Sequence, residues 1–269
     1  MAESWFLTKI NVRTSQDKHD CLLTGIAVSF GNNIFVVDYN NDSIKLINSN
    51  SGELRQTKLE SGPRDIAVIS KDELAVTLPD MKTIQFISVS PYGRNAFSLK
   101  NKLDVDGFCL GIGHYQGKLA VTFTSPGKLL ITNLQGSVQV NVVKYPNGED
   151  IFSYPGHVTT NSNSIYVSDN TKDEVTWFDW SGTHIGRHCR IEHPRGITLL
   201  DDGSIFVSDY ESRCILKVRS DLNESETALT DVDSPWALCW SRETTTLCVS
   251  RFNRDRSNEN NDILLYKLM

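Results

Sequence analysis

"SIFVSDYESRCILKV" (Ser204–Val218) has two near-copies in the same chain, "SIYVSDNTKDEVTWF" (Ser164–Phe178) and "NIFVVDYNNDSIKLI" (Asn33–Ile47). Each is a hydrophobic run ending in Asp, a polar stretch, and a second alternating run. Repetition at a fixed period identifies a structural unit, so it is the first signal to settle. With the run before the Asp as a ruler, Ile34, Leu74, Leu119, Ile165, Ile205 and Leu247 open six such runs, spaced 40, 45, 46, 40 and 42 residues apart. A short inner segment precedes each: "TGIAVSF" from Thr24, "RDIAVIS" from Arg64, "DGFCLGI" from Asp106, "PGHVTTN" from Pro155, "RGITLLD" from Arg195 and "PWALCWS" from Pro235. A third run follows each: "SIKLIN", "TIQFIS", "KLLITN", "EVTWFD", "CILKVR" and "DILLYK". These runs are rich in Val, Ile, Thr and aromatics, alternate at period two, and are separated by turn residues such as "FGNN" and "DDGS". No stretch of roughly 12 or more residues shows helical periodicity with caps. The chain reads as all-β.

A period of 40–46 residues with three or four short strands per unit fits the blades of a six-bladed β-propeller. The blades are placed at about 20–61, 62–103, 104–151, 152–191, 192–231 and 232–269, the whole chain forming one domain. Blade six supplies only three strands before "LLYKLM", and the orphan strand "WFLTKINVRT" (Trp5–Thr14) precedes blade one. Pairing the orphan, within 4–15, with "DILLYKLM" closes the last blade and removes two open sheet edges.

Composition is that of an ordinary folded domain, 39% hydrophobic and 22% charged over 269 residues. No apolar run approaches the roughly 18 residues of a membrane helix, and "MAESWFLTKINV" lacks the pattern of a signal peptide. Six cysteines are scattered without a CxxC pair, which fits reduced, packed thiols and a cytoplasmic location. The formal charge of −6 disfavours a uniformly basic nucleic-acid binder.

The pattern in "TGIAVSFGNNIFVVDYNNDSIKLI", "YPGHVTTNSNSIYVSDNTKDEVTWF" and "HPRGITLLDDGSIFVSDYESRCILKV" resembles the NHL repeat. It is similar to the six-bladed propeller at the C-terminus of tripartite-motif (TRIM-NHL) proteins. Blade two, with Thr77 before "LPD", and blades three and six, without the Asp, depart from the pattern. The resemblance implies a recognition or scaffold domain that binds a protein partner, as the substrate receptor of a ubiquitin ligase does. Some relatives bind RNA, and other six-bladed propellers are metal-dependent hydrolases or lyases. No Cys/His zinc pattern or heptad run of the RING, B-box or coiled-coil kind is visible, so ligase chemistry is expected outside this chain. The isolated domain is expected to be monomeric, with no membrane contact.

Asp38, Asp169 and Asp209 end their runs, and short carboxylates there are expected to accept turn N–H groups rather than bind metal. His157 aligns with Ile26 and Ile197, a core position turned polar, and is expected to be a hydrogen-bonded buried histidine. "GIGHYQG" from Gly111 lacks the last glycine and the following helix of a phosphate loop, and reads as a hairpin. No GxSxG or other nucleophile motif is present. No metal or cofactor is therefore expected, and no catalytic residue is assigned. The lead-in to each inner strand and the loop between second and third strands share one rim, where binding residues gather. The candidate partner-binding residues on it are Tyr39, Arg64, Lys82, Arg195, Tyr210, Arg213, Trp236, Arg251, Phe252 and Arg254, exposed aromatics and arginines of the types that dominate binding hot spots. Protein recognition is preferred to RNA because Asp80, Asp173, Glu174, Glu211 and Asp255 interrupt the basic residues in the same loops.

Overall fold

The computed structural model describes residues 4–48, 51–90, 93, 95–189, 191–253, 255 and 260–268. Six four-stranded antiparallel sheets surround a central channel, as the repeat predicts. The inner strands are β2 (Leu23–Val28), β6 (Ile66–Ser70), β10 (Phe108–Tyr115), β14 (Pro155–Thr160), β18 (Pro194–Leu199) and β22 (Pro235–Ser241). Each leads outward to a strand carrying the repeated hydrophobic run: β3 (Ile34–Asp38), β7 (Glu73–Leu78), β11 (Lys118–Thr124), β15 (Ile165–Asp169), β19 (Ile205–Asp209) and β23 (Thr246–Arg251). Every residue of β3, β15 and β19 is buried, because one face of each blade packs on the preceding blade and the other on the next. The core is accordingly six inter-blade clusters rather than one centre. Phe35, Ile44 and Leu46 of blade one, for example, meet Ile66, Leu74 and Ile87 of blade two.

The ring closes through β1 (Ser4–Asn11), which pairs antiparallel with β24 (Asp262–Leu268), Ser4 opposite Leu268 and Asn11 opposite Asp262. The sixth sheet therefore has its fourth strand from the start of the chain. Cys21 N–H donates to Asn261 Oδ1 at 2.8 Å, and Val12 N–H to the Asn261 carbonyl at 2.8 Å. The inter-blade cluster at the seam, with Val12, Cys21 and Leu23 against Trp236, Ala237, Cys248 and Ile263, is as apolar as the other five.

The repeated Ser-Asp pair now has a physical explanation. Asp169 accepts from the N–H groups of Ser153, Tyr154, Thr171 and Lys172, so one carboxylate ties the lead-in of its own blade to the loop after β15. Asp209 does the same with Glu192 and Ser212. The hydroxyl before the Asp works between blades. Ser168 Oγ accepts from His157 N–H in its own sheet and donates to the Arg195 carbonyl of the next. Ser208 reaches the Trp236 carbonyl, Ser250 the Leu23 carbonyl, and Thr77 the Leu110 carbonyl. Four of the six junctions are stitched in this way. Val37 has no hydroxyl, and there Thr24 Oγ1 donates to the Pro63 carbonyl instead.

Asp38 differs from its counterparts. It accepts from Leu22 N–H and Asn41, and also from Lys45, a fully buried lysine on β4 (Ser43–Ile47). The Lys45 ammonium lies 2.8 Å from Asp38, 2.7 Å from Asp17, 3.1 Å from the Cys21 sulfur and 3.1 Å from the Val12 carbonyl. Burial alone would push the Asp38 carboxyl up, but the adjacent ammonium and the hydrogen bonds hold it below its ordinary range. The Lys45 ammonium is likewise raised by its acidic neighbours, against the effect of burial.

Candidate functional site at the channel mouth

The rim deduced from sequence is built as expected. In blade after blade the loop following the second strand hydrogen-bonds to the lead-in of the inner strand: Tyr39 N–H to the Leu22 carbonyl, Asn170 to Tyr154, Phe252 to Ser234. Strand register defines two rings at this end of the channel. Ile26, Ile66, Ile112, Val158, Ile197 and Leu238 face equivalent residues of their second strands. One residue earlier lie Gly25, Asp65, Gly111, His157, Gly196 and Ala237, and one earlier again Thr24, Arg64, Leu110, Gly156, Arg195 and Trp236.

This register corrects the alignment of His157 with Ile26 and Ile197. Val158 pairs with Val167 as Ile197 pairs with Val207, so Val158 occupies the isoleucine position and His157 that of Gly196. Pro155 pairs with Asp169 as Pro194 pairs with Asp209 and Leu23 with Asp38, so Pro155 matches Pro194, not the residue before it, and the glycines of "PGHV" and "RGIT" are not equivalent. The ring His157 enters is crowded. A Cβ on Gly196 would lie 2.4 Å from the Trp236 carbonyl, and one on Gly111 2.7 Å from the Gly156 carbonyl. In this otherwise small ring His157 Nδ1 stands 3.7 Å from Asp65 Oδ2, both side chains buried. The same carboxylate accepts from Ile112 N–H at 3.0 Å and Ile66 N–H at 2.9 Å. The pair lines a central cavity of about 190 Å³. "GIGHYQG" is the hairpin expected, Gln116 and Gly117 both taking positive φ between β10 and β11.

The upper ring holds the main cluster. Arg195 lies over the Trp236 ring at 4.2 Å from its centre and over Tyr210 at 5.5 Å, and Arg64 approaches Trp236 from across the mouth at 5.4 Å. Tyr210 and Phe252 meet the same indole edge-on at 5.9 and 5.1 Å. Asn170, with its amide oxygen toward Arg195, accepts from Nη1, Nη2 and Nε at 3.0–3.3 Å. Burial, reinforced by the like charge of Arg64, brings the Arg195 pKa down to about 10. Five candidate residues therefore converge: Arg64, Arg195, Tyr210, Trp236 and Phe252.

The exposure expected of Trp236 is corrected. It is 6% exposed, covered by Arg195, Tyr210 and Phe252. The remaining candidates stand apart from this cluster. Tyr39 packs its ring on Gly62, where a Cβ would lie 2.7 Å away. Lys82 is exposed after a short 3-10 turn. Arg213 pairs with Asp233 at 3.3 Å and Arg251 with Asp262 at 3.6 Å. Arg254 lies outside the described residues. Sequence reading puts Asn170 in a rim loop without selecting it as a binding residue, and misses Asp65 as part of the mouth. A signal existed for Asp65, which stands where the repeat otherwise has glycine or alanine, or His157 in the fourth blade.

Among the described residues one group of potential metal ligands occurs, Asp17, Cys21 and Asp38 with ligand atoms within 4.8 Å of one another. The Lys45 ammonium is bonded to all three, so a cation already occupies that space. No helix of the described residues is long and apolar enough to cross a membrane.

No protein-family model matches the sequence, and no curated protein matches it. Solved structures do. A streptogramin B lyase superposes with a TM-score of 0.71 at 13% identity, over 97% of this chain and 98% of that one. A catalytically inactive virginiamycin B lyase from Staphylococcus aureus, crystallised with quinupristin, gives 0.66 at 16% identity over 99% and 100%. The nidogen/laminin complex gives 0.63 at 14% identity over 77% and 80%. At such identities the likeness establishes the fold, a six-bladed propeller. It also corrects the expectation that the chain is not an enzyme, because propellers of this outline include lyases. The absence of a local motif carried that expectation. In a propeller, side chains that meet at the channel come from different blades, as Asp65 and His157 do here, and no linear motif records the meeting.

Proposed function

We propose that the propeller is a recognition domain that binds a protein or peptide partner at this mouth, in the manner of the substrate-receptor domain of a TRIM-NHL-type protein. The observation that carries the reading is the Arg64–Trp236–Arg195 cluster, two cations stacked about one aromatic at the centre of a loop-built face. Arginine and aromatic side chains supply most of the energy in protein interfaces. The protein-binding neighbour in the nidogen/laminin complex is consistent with it. RNA is less well supported, because four other basic side chains of the rim loops are engaged within the chain. Lys172 donates to the Asp150 and Ile151 carbonyls and Lys128 to Asp106, and Arg213 and Arg251 are ion-paired. A polyanion needs a row of free cations.

The test is selection of peptides from a displayed library on the immobilised propeller, repeated with Arg195→Glu. Binders that survive the substitution unchanged would place recognition elsewhere. Tight binding of single-stranded RNA with a steep salt dependence would turn the reading to nucleic acid.

A second reading is a lyase or hydrolase acting in the channel. It is favoured by the full-length likeness to lyases and by the buried Asp65–His157 pair, since a histidine with a carboxylate partner is a common general base. Turnover of quinupristin, lost in His157→Ala, would establish it.

A further inference from the structure

Resting on the recognition reading, we propose that the mouth is a socket for a single carboxylate, supplied by the C-terminus or an acidic side chain of a bound peptide. The argument begins with the arginines. Arg13, Arg55, Arg187, Arg213, Arg219, Arg242 and Arg251 each have a carboxylate within 4 Å. Among the described residues, Arg64 and Arg195 are the two arginines that have none. They are also the two that share one aromatic ring, on opposite sides of the mouth.

Leaving such charges unpaired has a physical cost. Arg195 is half-buried and feels the like charge of Arg64. The groups in contact with it are neutral, the Trp236 and Tyr210 faces and the Asn170 oxygen, and Glu211 acts on it only through space. Beneath the guanidiniums the Trp236 indole N–H is buried and has no acceptor. A buried donor without an acceptor is uncommon in folded proteins. The cluster therefore has donors and positive charge in excess, and lacks an anion.

The nearby acids do not fill the gap. Asp65 is turned down into the ring below, held by the Ile66 and Ile112 N–H groups. Asp233 pairs with Arg213 and accepts from Asn253. Glu211 faces His193 at 3.7 Å, and Asp173 accepts from His193 N–H. These residues leave the mouth cationic while surrounding it with acid. One compact anion is then attracted and an extended polyanion repelled. A planar carboxylate also matches the guanidinium fork, where two parallel N–H···O bonds form.

The experiment follows the Trp236 indole N–H resonance in the intact chain, assigned by its loss in Trp236→Phe. The probes are N-acetyl-Ala-Ala for a C-terminal carboxylate, N-acetyl-glutamate methylamide for a side-chain carboxylate, the neutral amide of each, and inorganic phosphate. Saturable shifts with one or both carboxylates, no shift with the amides, and binding about tenfold weaker in Arg64→Gln and in Arg195→Gln are expected, since a charge-assisted hydrogen bond contributes about that factor. The stronger of the two carboxylate probes identifies the source. Equal shifts with the amides, no saturable shift at all, or tighter binding of phosphate than of either carboxylate would overturn the proposal. If library peptides still bind at this face in an Arg195-dependent way while lacking a required carboxylate, the socket fails and the recognition reading stands.

Discussion

Ser208 Oγ donates to the carbonyl of Trp236 at 3.0 Å, across the boundary between the fifth and sixth sheets. Ser168 makes the same bond to Arg195, so two of the three residues that form the cationic mouth are held by hydroxyls of the preceding blade. Position of the mouth and cohesion of the ring thus share one set of bonds.

Ser208→Ala should therefore do two things. It leaves a buried carbonyl without its donor, at a cost of about 1–3 kcal/mol, read as a lower midpoint in urea. It also loosens the Trp236 backbone, read as a shift of the indole resonance. Ser168→Ala should act in the same direction through Arg195. An unchanged midpoint in both would mean that the hydroxyl stitching contributes no net stability.

Trp236→Ala and Arg195→Gln should separate stability from recognition. Trp236 is a buried aromatic in the seam cluster, and truncating such a ring costs about 3–5 kcal/mol. Arg195→Gln removes a half-buried cation whose charged form is already disfavoured, so the thermal midpoint should hold or rise while ligand binding falls. Loss of folding in Arg195→Gln would show that the arginine is structural.

Lys45→Met should be strongly destabilising, by about 3–5 kcal/mol, because it strands the Asp17 and Asp38 charges in the interior. The pH profile carries the same information. Asp38 is depressed from its ordinary 3.8, so its contribution is present above that pH and is lost as pH falls through the lower folded value. Lys45 is raised from 10.5, so its contribution is present below that pH and disappears as pH climbs through the higher folded value. Cys21, pushed up to about 12 by burial and Asp38, adds a loss that begins near pH 9, where the unfolded thiol ionises first. Denaturation midpoints across pH 2–11 should show a plateau with both shoulders. In Lys45→Met the acid shoulder should weaken or reverse, because burial then raises the stranded carboxyl and protonating it relieves the fold.

Removing residues 1–12 deletes β1, leaving the sixth sheet with three strands and β24 with an open edge. The truncated chain should melt far below the intact one and tend to aggregate through that edge. Equal melting temperatures in calorimetry would refute the closure role of β1.

The ring was legible in the sequence because its period is written in local hydrophobic runs, and so were the Asp turns, whose partners lie in adjoining segments. Two features were not. Lys45 stands where Thr176 and Leu216 stand in other blades, and nothing near it in sequence announces that Asp17 and Cys21, more than twenty residues away, will enclose it. Trp236 looked exposed because its position on the rim was right. The residues that cover it come from three separate segments, at Arg195, Tyr210 and Phe252. Burial made by other blades is invisible to a reading that follows one strand at a time.

The mouth also has a place in time. Arg64 belongs to the second blade, Arg195 to the fifth and Trp236 to the sixth, and the sixth sheet is complete only when β24, ending at Leu268, has paired with β1. A ribosome must therefore have released β24 before the three side chains can be held together in a closed ring. The cluster is thus the last feature the propeller acquires during synthesis, and a chain interrupted short of the seam is born without it.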